Sequence, residues 1–369
     1  MTAKGCATAE GTSHYSARFE SAAADYFRQS QGLSVSSIGI GTYLGNADEE
    51  TDRRYAEAVV RAVELGANVI DSAANYRFQR SERSIGAALD ELTTRGFGRE
   101  EIVICTKGGY LPFDGAPPSD VRGYVEQNFI ETGIAKWGDI AGGSHCMTPA
   151  YLDNQLRQSL ANLNLDCIDV YYVHNPESQL AVVSPEEFSR RLRAAFESLE
   201  QAVNENRIKF YGVATWNGFR AEPDSDGYHS LEAMVDIARE LAGADHHFRF
   251  IQLPVNLGMP EALFFQNQKL GDEYVSVVEA AQSFGITVIA SGSLLQGQAA
   301  RGLPEAIRDT LGSLATDAQT GIQFVRSAPG VSTALVGMSN VAHVEENLAL
   351  VNVPTASQDD LLRVFDQEE

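Results

Sequence analysis

Four side chains able to transfer or orient protons stand at the ends of short apolar segments of this 369-residue chain, or just beyond them. Asp71 and Lys107 close two such segments, His174 closes a third, and Tyr76 follows Asp71 by five residues. A tyrosine hydroxyl has a pKa of about 10 and is a weak acid at neutral pH. A neighbouring ammonium group lowers that pKa, and a carboxylate can hold the ammonium group in place.

Together, these four side chains suit proton transfer to a carbonyl oxygen. Tyr76 would donate the proton, Lys107 and Asp71 would tune it, and His174 would orient and polarise the carbonyl group. Taken singly, each residue has an ordinary structural explanation, as a turn cap, a solvated charge, a core histidine or a packing residue. Because no protein side chain donates hydride, a site of this kind also requires a cofactor.

These residues lie within a rhythm of short apolar strands and amphipathic helices that starts near residue 33. Several strands are nearly continuous apolar runs, which indicates burial on both faces. Eight strands are predicted, at residues 37–42, 68–72, 102–107, 168–174, 209–215, 248–253, 287–291 and 333–337. Helices are predicted at 50–65, 81–92, 149–163, 185–205, 231–241, 273–284 and 341–350.

Eight strands alternating with helices predict an α/β protein with the (β/α)8 TIM-barrel fold. A doubly wound open sheet is the alternative, but the glycines at 39, 41 and 45 lack the spacing of a dinucleotide-binding Gly-x-Gly-x-x-Gly segment. In a barrel the C-terminal ends of all strands meet at one mouth, where catalytic residues gather. The later strands end at Thr215, Gln252, Ser291 and Gly337.

The rest of the chain frames this barrel. Residues 1–32 are interpreted as an N-terminal extension with a mobile start and a short helix, residues 33–355 as the barrel domain, and residues 356–369 as a C-terminal tail. The connection at 108–148 is too long for an ordinary loop and carries several aromatic residues, so an ordered cover over the barrel mouth is expected. These aromatic residues are Tyr110, Phe113, Tyr124, Phe129 and Trp137.

The composition excludes some classes of partner. The formal net charge is −22, and the acidic residues are scattered apart from clusters at 48–52 and at the C-terminal 366–369. This charge argues against a nucleic-acid or anionic-membrane partner, since both require clustered Lys and Arg. A solvated acidic shell is the simplest interpretation, and oligomeric state stays open.

The four cysteines form no metal-binding spacing. Cys105 lies in a predicted strand and Cys167 directly precedes another, and both are interpreted as reduced core residues, which fits a reducing compartment. The first residues contain no apolar signal segment, and no apolar run approaches the length of a membrane span. A cytoplasmic location is therefore expected.

In its strand-end motifs the chain resembles the aldo-keto reductases, which are (β/α)8 barrels with a nicotinamide cofactor and an Asp/Tyr/Lys/His tetrad. Asp71 and Tyr76 lie in Val-Ile-Asp-Ser-Ala-Ala-Asn-Tyr, Lys107 ends Ile-Cys-Thr-Lys, and His174 lies in Tyr-Tyr-Val-His-Asn-Pro. Further matches are Gly41-Thr-Tyr, Gly212-Val-Ala-Thr, Ile251-Gln252 and Leu335-Val-Gly-Met with the following Glu-Glu-Asn. The resemblance spans about residues 33–350, and a sugar- or alcohol-dehydrogenase-like branch is the nearest pattern.

The resemblance implies a role for each matching residue. Tyr76 would be the acid, and Thr215, where the family usually has Asn, would hold the nicotinamide amide together with Gln252. The loop 292–297 would wrap the pyrophosphate, as a nest of backbone N–H groups can. The implied cofactor contacts are Thr42, Thr215, Gln252, Ser291, Gly292, Ser293, Leu294, Gln296, Gly297, Gly337, Met338, Ser339, His343, Glu346 and Asn347. Tyr43, Phe113, Trp137 and Trp216 are the candidate substrate-pocket residues.

Two departures from the family pattern concern the cofactor. The family stacks an aromatic side chain on the nicotinamide after the seventh strand, but the chain has Ala290-Ser291-Gly292 there. Either Trp216 or another aromatic residue substitutes, or the nicotinamide ring is held more loosely. Members that prefer NADP place Lys or Arg after the eighth strand, where this chain has Gly337, Met338, Ser339 and His343. NAD and NADP are therefore equally open as cofactors.

The leading hypothesis is an NAD(P)-dependent oxidoreductase that interconverts an aldehyde, ketone or sugar-like carbonyl compound and its alcohol. A non-catalytic, regulatory nicotinamide-binding barrel is the first alternative. A lyase or aldolase that uses Lys107 as a Schiff-base nucleophile is the second, although it leaves Tyr76 and His174 without a clear use.

Overall fold

The computed structural model describes residues 4–365 and confirms the predicted (β/α)8 barrel. Eight parallel strands close into the barrel in the order β3-β4-β5-β6-β7-β8-β11-β12, and two small antiparallel hairpins lie outside it. The strands are β1 Phe27–Ser30, β2 Leu33–Ser36, β3 Ile38–Gly41, β4 Val69–Asp71, β5 Val103–Gly108, β6 Ile168–His174, β7 Ile208–Ala214, β8 Phe248–Pro254, β9 Gln268–Leu270, β10 Glu273–Val275, β11 Thr287–Ser291 and β12 Val331–Gly337.

Helices surround the barrel. They are α1 Ala9–Ala17, α2 Glu49–Glu64, α3 Arg80–Thr94, α4 Val121–Val125, α5 Pro149–Leu163, α6 Glu177–Leu180, α7 Pro185–Asn204, α8 Leu231–Ala242, α9 Glu261–Phe264, α10 Val277–Phe284, α11 Glu305–Thr310, α12 Asp317–Ser327, α13 Val341–Leu348 and α14 Gln358–Phe365. Local sequence sets several starts: Asp48 caps α2, and Ser184 caps α7 ahead of a proline in its first turn. No helix within residues 4–365 is both long and apolar enough to cross a membrane.

Each of the eight predicted strands occurs in the barrel, with ends shifted by at most two residues. The β1–β2 and β9–β10 hairpins were not predicted. The predicted helix at 273–284 is wrong in its first part, because residues 273–275 form β10 and α10 begins only at Val277 after the capping residue Ser276. A capping box formed by Ser276 and Glu279 explains this later start.

The register between neighbouring strands determines where the strand ends lie at the mouth of the barrel. Gly41 pairs with both Asp71 and Gly337, and Ala214 pairs with His174 and with Gln252. The strand ends therefore lie at similar heights around one opening. Below them, apolar side chains such as Val69, Val170 and Ile289 fill the barrel interior, while a larger core lies between strands and helices.

From residue 4 onward the N-terminal extension packs on the opposite end of the barrel, whereas residues 1–3 of the expected mobile start lie outside the described residues. Tyr15 and Tyr26 are fully buried, and Ala7 packs with the residues of the barrel interior. Cys6 forms a disulfide with Cys167. The interpretation of Cys167 as a reduced core residue is therefore wrong, and the cysteines do not support a reducing compartment. Cys105 is a buried free cysteine, as predicted.

The long connection at 108–148 is an ordered subdomain of the mouth. Its own apolar cluster joins Phe129 and Ile140 to Tyr151 of α5. A bridge between Tyr110 and His145 ties its two ends together. At the end of the chain, α14 packs Leu361 and Val364 into the core, while the predicted acidic cluster 366–369 lies outside the described residues.

Candidate active site

A cavity of about 430 Å³ opens at the C-terminal mouth of the barrel and contains three of the four proposed catalytic residues in its wall. This volume suits a small organic ligand. The lining residues are Gly41, Thr42, Tyr43, Leu44, Asp71, Asn75, Tyr76, Tyr110, His174, Asn175, Ala214, Thr215, Trp216, Gln252, Ser291, Gly292, Gln296, Leu335 and Gly337. Within the described residues, no group of His, Cys, Asp and Glu side chains could hold a metal ion.

Lys107 lies beneath the cavity and forms a buried ion pair with Asp71. The Lys107 ammonium also donates to the backbone carbonyl of Ser72 over 2.7 Å and lies 5.0 Å from the centre of the Tyr76 ring. Burial works against the charge of Lys107, but Asp71 and Tyr76 outweigh it and raise the lysine pKa. Lys107 therefore stays charged at neutral pH, which does not suit a Schiff-base nucleophile.

Tyr76 directs its ring into the cavity wall between Tyr43 and His174, at centroid distances of 4.9 and 5.8 Å. Burial raises the pKa of the Tyr76 hydroxyl above its ordinary value, and the attraction and hydrogen bond of Lys107 act in the opposite direction. The sequence analysis expected the lysine to lower this pKa overall. In the structure burial is the larger effect, so the hydroxyl keeps its proton at neutral pH and is poised as a donor.

His174 is a neutral imidazole at the mouth. Burial, and then the nearby positive charge of Lys107, hold its pKa well below the ordinary histidine value. Its Nδ1 atom is buried without a hydrogen-bond partner among the described residues. The Tyr110 ring packs edge-on against it at 5.1 Å. A neutral ring can donate one hydrogen bond to a carbonyl oxygen without carrying a charge.

Gln252 has a fixed orientation because its Nε2 donates to Asp71 Oδ1 over 2.8 Å. Only the amide nitrogen can donate to a carboxylate, so the position of the Gln252 oxygen follows from this bond. That oxygen remains as an acceptor in the cavity wall, where a carboxamide N–H group could reach it. Asp71 thus contacts both the lysine and the glutamine.

Thr215 lines the cavity, but its hydroxyl is already used. It donates to Glu177 Oε1 over 2.7 Å and accepts from the backbone N–H of Gly218 over 2.7 Å. The Thr215 hydroxyl was expected to bind a nicotinamide amide, but in the structure its proton is donated to Glu177. Asn175, the residue after His174, places a second amide in the lining; its Nδ2 donates to the Tyr110 hydroxyl over 3.2 Å.

Trp216 forms the aromatic part of the wall next to the end of β11. Its ring lies 3.5 Å from the position that a Cβ atom on Gly292 would occupy, which is an ordinary van der Waals distance. Gly292 has a φ of +60°, a conformation that favours glycine. The indole of Trp216 therefore packs against the end of β11, where the residues are small.

The loop 292–297 contains a run of left-handed residues, since Leu295, Gln296 and Gly297 all have positive φ angles. The N–H groups of Leu295 and Gly297 already donate to the carbonyls of Gly292 and Leu294, over 2.7 and 2.8 Å. The Ser293 hydroxyl is buried and has no hydrogen-bond partner in the described part of the chain. A pyrophosphate oxygen would supply an acceptor for this hydroxyl.

The remaining predicted cofactor residues lie outside the cavity wall. Met338 is fully buried in the core, so only its backbone could reach a ligand. The amide oxygen of Asn347 is buried without a partner among the described residues, whereas Glu346 accepts from Thr316 over 2.8 Å. The others in this group are Ser293, Leu294, Gly297, Ser339 and His343.

Arg54 is a cation near the end of β12 that the sequence analysis missed. Its Nε donates to the backbone carbonyl of Ser339 over 3.2 Å. The residue comes from α2, which is far along the chain from the segment that follows β12. Its proximity depends on α2 and α13 packing side by side, as the ion pair of Arg61 with Glu345 also shows.

Two predicted substrate residues are not brought to the cavity. Phe113 packs against Phe78 and Tyr124, and Trp137 lies 42% exposed on the surface with its indole N–H bonded to Glu126. Other residues take that place, and the sequence analysis did not assign them to the site. They are Leu44, Asn75, Tyr110 and Asn175.

Comparisons with known proteins agree with this architecture. The model of the aldo/keto reductase family matches residues 37–222. A putative voltage-gated potassium channel subunit beta of Schizosaccharomyces pombe is 23% identical over 350 residues, which cover 91% of this chain and 90% of that protein.

Two solved structures share the fold at 19% identity, each with a TM-score of 0.60. One is an aldo/keto reductase from Klebsiella pneumoniae in complex with NADP and acetate, where the match covers 92% of this chain and 94% of the other. The other is a glycerol dehydrogenase from Gluconobacter oxydans, with 93% and 95% covered.

Proposed function

This chain belongs to the aldo/keto reductase family, and we propose that it is an NAD(P)-dependent oxidoreductase that interconverts a small carbonyl compound and its alcohol. The observation that carries the proposal is the position of Tyr76 at the cavity wall, directly above the buried pair of Lys107 and Asp71. A protonated phenol beside an ammonium group is a suitable acid for a developing alkoxide.

The chain's own residues divide the work of the reaction. Tyr76 transfers its proton to the substrate oxygen during reduction and recovers one during oxidation. Lys107 stabilises the phenolate left behind, and His174 orients the carbonyl oxygen through an N–H group. A bound nicotinamide supplies or accepts the hydride. The direction in the cell is not assigned.

The Ser293 hydroxyl in the loop 292–297 is buried without a partner among the described residues and suits the pyrophosphate. The Gln252 oxygen, oriented by the bond of the amide nitrogen to Asp71, suits the carboxamide. Arg54 beside Ser339 provides a guanidinium group for a 2′-phosphate, so we favour NADP over NAD. The complex of the Klebsiella pneumoniae enzyme with NADP supports this choice.

The substrate is proposed to be neutral. Among the cavity-lining residues the only charged side chain is Asp71, which is already paired with Lys107. A carboxylate or phosphate on the substrate would find no cation there, whereas Asn75, Tyr110 and Asn175 can bond hydroxyl groups. A hydroxylated aldehyde, ketone or polyol fits best, and the similarity to a glycerol dehydrogenase points the same way.

A second candidate is a nicotinamide-binding regulatory subunit. The similarity to a putative potassium channel subunit beta along most of the chain favours it. It predicts dinucleotide binding without repeated turnover of any carbonyl compound. The intact set of Asp71, Tyr76, Lys107 and His174 supports the enzyme instead.

The test is a side-by-side titration with NADH and NADPH, followed by intrinsic fluorescence, together with a panel of neutral and acidic carbonyl substrates. We expect binding of both dinucleotides with preference for NADPH, a preference lost in Arg54→Gln, and turnover of neutral substrates. No binding of either dinucleotide would refute the proposal. Binding without turnover of any substrate would favour the regulatory alternative.

A further inference from the structure

Glu177 accepts three hydrogen bonds from one turn at the barrel mouth, and the catalytic scheme above gives it no role. It begins α6, three residues after His174, and only 14% of its side chain is exposed. Its Oε1 atom accepts from the Thr215 hydroxyl at 2.7 Å and from the backbone N–H groups of Trp216 and Asn217 at 3.0 and 3.2 Å. One carboxylate thus joins the ends of β6 and β7.

A buried histidine lies next to the second oxygen of this carboxylate. The Nε2 atom of His229 lies 3.4 Å from Glu177 Oε2, and the histidine side chain is fully buried. Its ring stacks on Phe188 at 5.4 Å and packs against Phe219. A Cβ atom on Gly218 would lie 2.1 Å from the ring, so the turn has no room to shift toward it.

The surroundings keep Glu177 charged. Burial alone would raise its pKa, but His229 and the Thr215 hydroxyl lower the pKa to about 2. Hydrogen bonds to an ionised carboxylate are stronger than bonds between neutral groups. The hydrogen bonds to the charged Glu177 therefore stabilise the turn at 215–217 beyond what its backbone hydrogen bonds alone provide.

This turn carries the aromatic wall of the cavity. Trp216 follows Thr215 directly, and its backbone N–H is one of the three donors to Glu177. Its ring packs beside Gly292 at the end of β11. The placement of the indole then depends on the backbone at 215–217, and that backbone depends on Glu177.

We propose that Glu177 is a positioning residue that sets the place of Trp216, and through it the binding of the nicotinamide end of the cofactor. The inference rests on the proposed dinucleotide-dependent function. It assigns Glu177 no contact with substrate or cofactor. His229 lies beside the second oxygen of the same carboxylate, at 3.4 Å.

Trp216 itself reports on this role, since the chain has two tryptophans and the other, Trp137, lies outside the cavity. In a Trp137→Phe background, we compare Glu177→Gln with Glu197→Gln, which changes an exposed glutamate on α7. Glutamine keeps the shape and one acceptor oxygen but removes the charge. Trp216 emission, acrylamide quenching and dinucleotide affinity are measured on each variant.

For Glu177→Gln we expect a shifted Trp216 emission, stronger quenching and dinucleotide binding weakened about tenfold, the size expected for losing charge-assisted bonds. The turnover number at saturating cofactor should stay within about twofold, because the reacting groups are untouched. Glu197→Gln should match the parent in every readout. Equal emission and affinity in the two variants would overturn the proposal.

Thr215→Val provides a second route if Glu177→Gln does not fold. It removes one donor to the carboxylate and should shift Trp216 emission in the same direction; unchanged emission would also overturn the proposal. Failure of the underlying function looks different, since the parent itself would then bind neither NADH nor NADPH.

Discussion

His145 donates its Nε2–H to the backbone carbonyl of His174 over 2.7 Å and so ties the end of the 108–148 connection to the catalytic strand end. The donor role follows from the other side of the ring, where Gln179 Nε2 donates to His145 Nδ1 over 2.8 Å. Gln179 is held in that orientation because its oxygen accepts from Arg191. The histidine is thus bonded as a neutral ring, and a second proton would face a donor.

This arrangement predicts a pH-dependent stability. Burial lowers the pKa of His145 to about 4, and the unfolded chain would have a value near 6.5. As the pH falls below 6.5, the unfolded state takes up the proton first, so stability is lost between pH 6.5 and 4. The His145 contribution to the free energy of unfolding should fall by about 2 kcal/mol between pH 7 and pH 5.

Urea unfolding at pH 5, 6 and 7 measures this change. His145→Gln should flatten the pH dependence relative to the parent protein, whatever its effect on stability at pH 7. His246→Gln should flatten the pH dependence in the same direction, because burial also lowers the pKa of His246 to about 4, at a site away from the mouth. A parent-like slope in His145→Gln would contradict the prediction.

Asp71→Asn should both destabilise the protein and impair catalysis. Removing one partner of a buried ion pair leaves Lys107 charged and uncompensated, which costs about 3–5 kcal/mol. Denaturant unfolding measures the loss. The double variant Asp71→Leu with Lys107→Met should recover stability while remaining inactive. An Asp71→Asn protein as stable as the parent would contradict the role of the pair.

Much of this site could be predicted because strand ends are readable along the sequence. Asp71, Lys107 and His174 each close an apolar run, and the barrel topology then brings three distant strand ends to one mouth. The proposed role of Tyr76 as an acid is inferred from that placement. Its pKa could not be inferred in this way, because the balance between burial and the charge of Lys107 depends on how tightly the site is packed.

Contacts between distant segments could not be predicted in the same way. Arg54 comes near Ser339 from another helix, and Thr215 is bonded by Glu177 from a neighbouring strand end. The disulfide joins two cysteines 161 residues apart, and their spacing has no local pattern. Such contacts arise from packing angles and loop paths, which a periodicity along the chain does not encode.

Tyr110→Phe should change substrate binding rather than the chemical step. The ring against His174 remains, but the hydroxyl that meets Asn175 and Ser178 at 3.2 Å is lost. We expect KM for a hydroxylated substrate to rise about three- to tenfold, the size of one or two hydrogen bonds. Steady-state kinetics measures it. Tyr124→Phe, in the same connection but away from the cavity, should be silent, and an equal effect of the two variants would count against the assignment.

Cys6→Ser should lower stability without lowering activity. The disulfide with Cys167 closes a long loop, and its loss typically costs about 2–5 kcal/mol of unfolding free energy. The active site lies at the other end of the barrel and should be unaffected. Unfolding is followed with and without dithiothreitol. The reductant should destabilise the parent but not Cys6→Ser, and equal stability of the parent in both conditions would contradict the structural role of the disulfide.

The central claim is that Tyr76 supplies the proton in a dinucleotide-dependent reaction, and Tyr76→Phe tests it most directly. The variant keeps the ring between Tyr43 and His174 and removes only the hydroxyl. Turnover of a neutral carbonyl substrate and dinucleotide affinity are measured on the same preparation. We predict that kcat falls by at least about 100-fold, the usual contribution of a positioned acid, while the Kd for the dinucleotide stays within about twofold. Undiminished turnover in Tyr76→Phe would contradict the account.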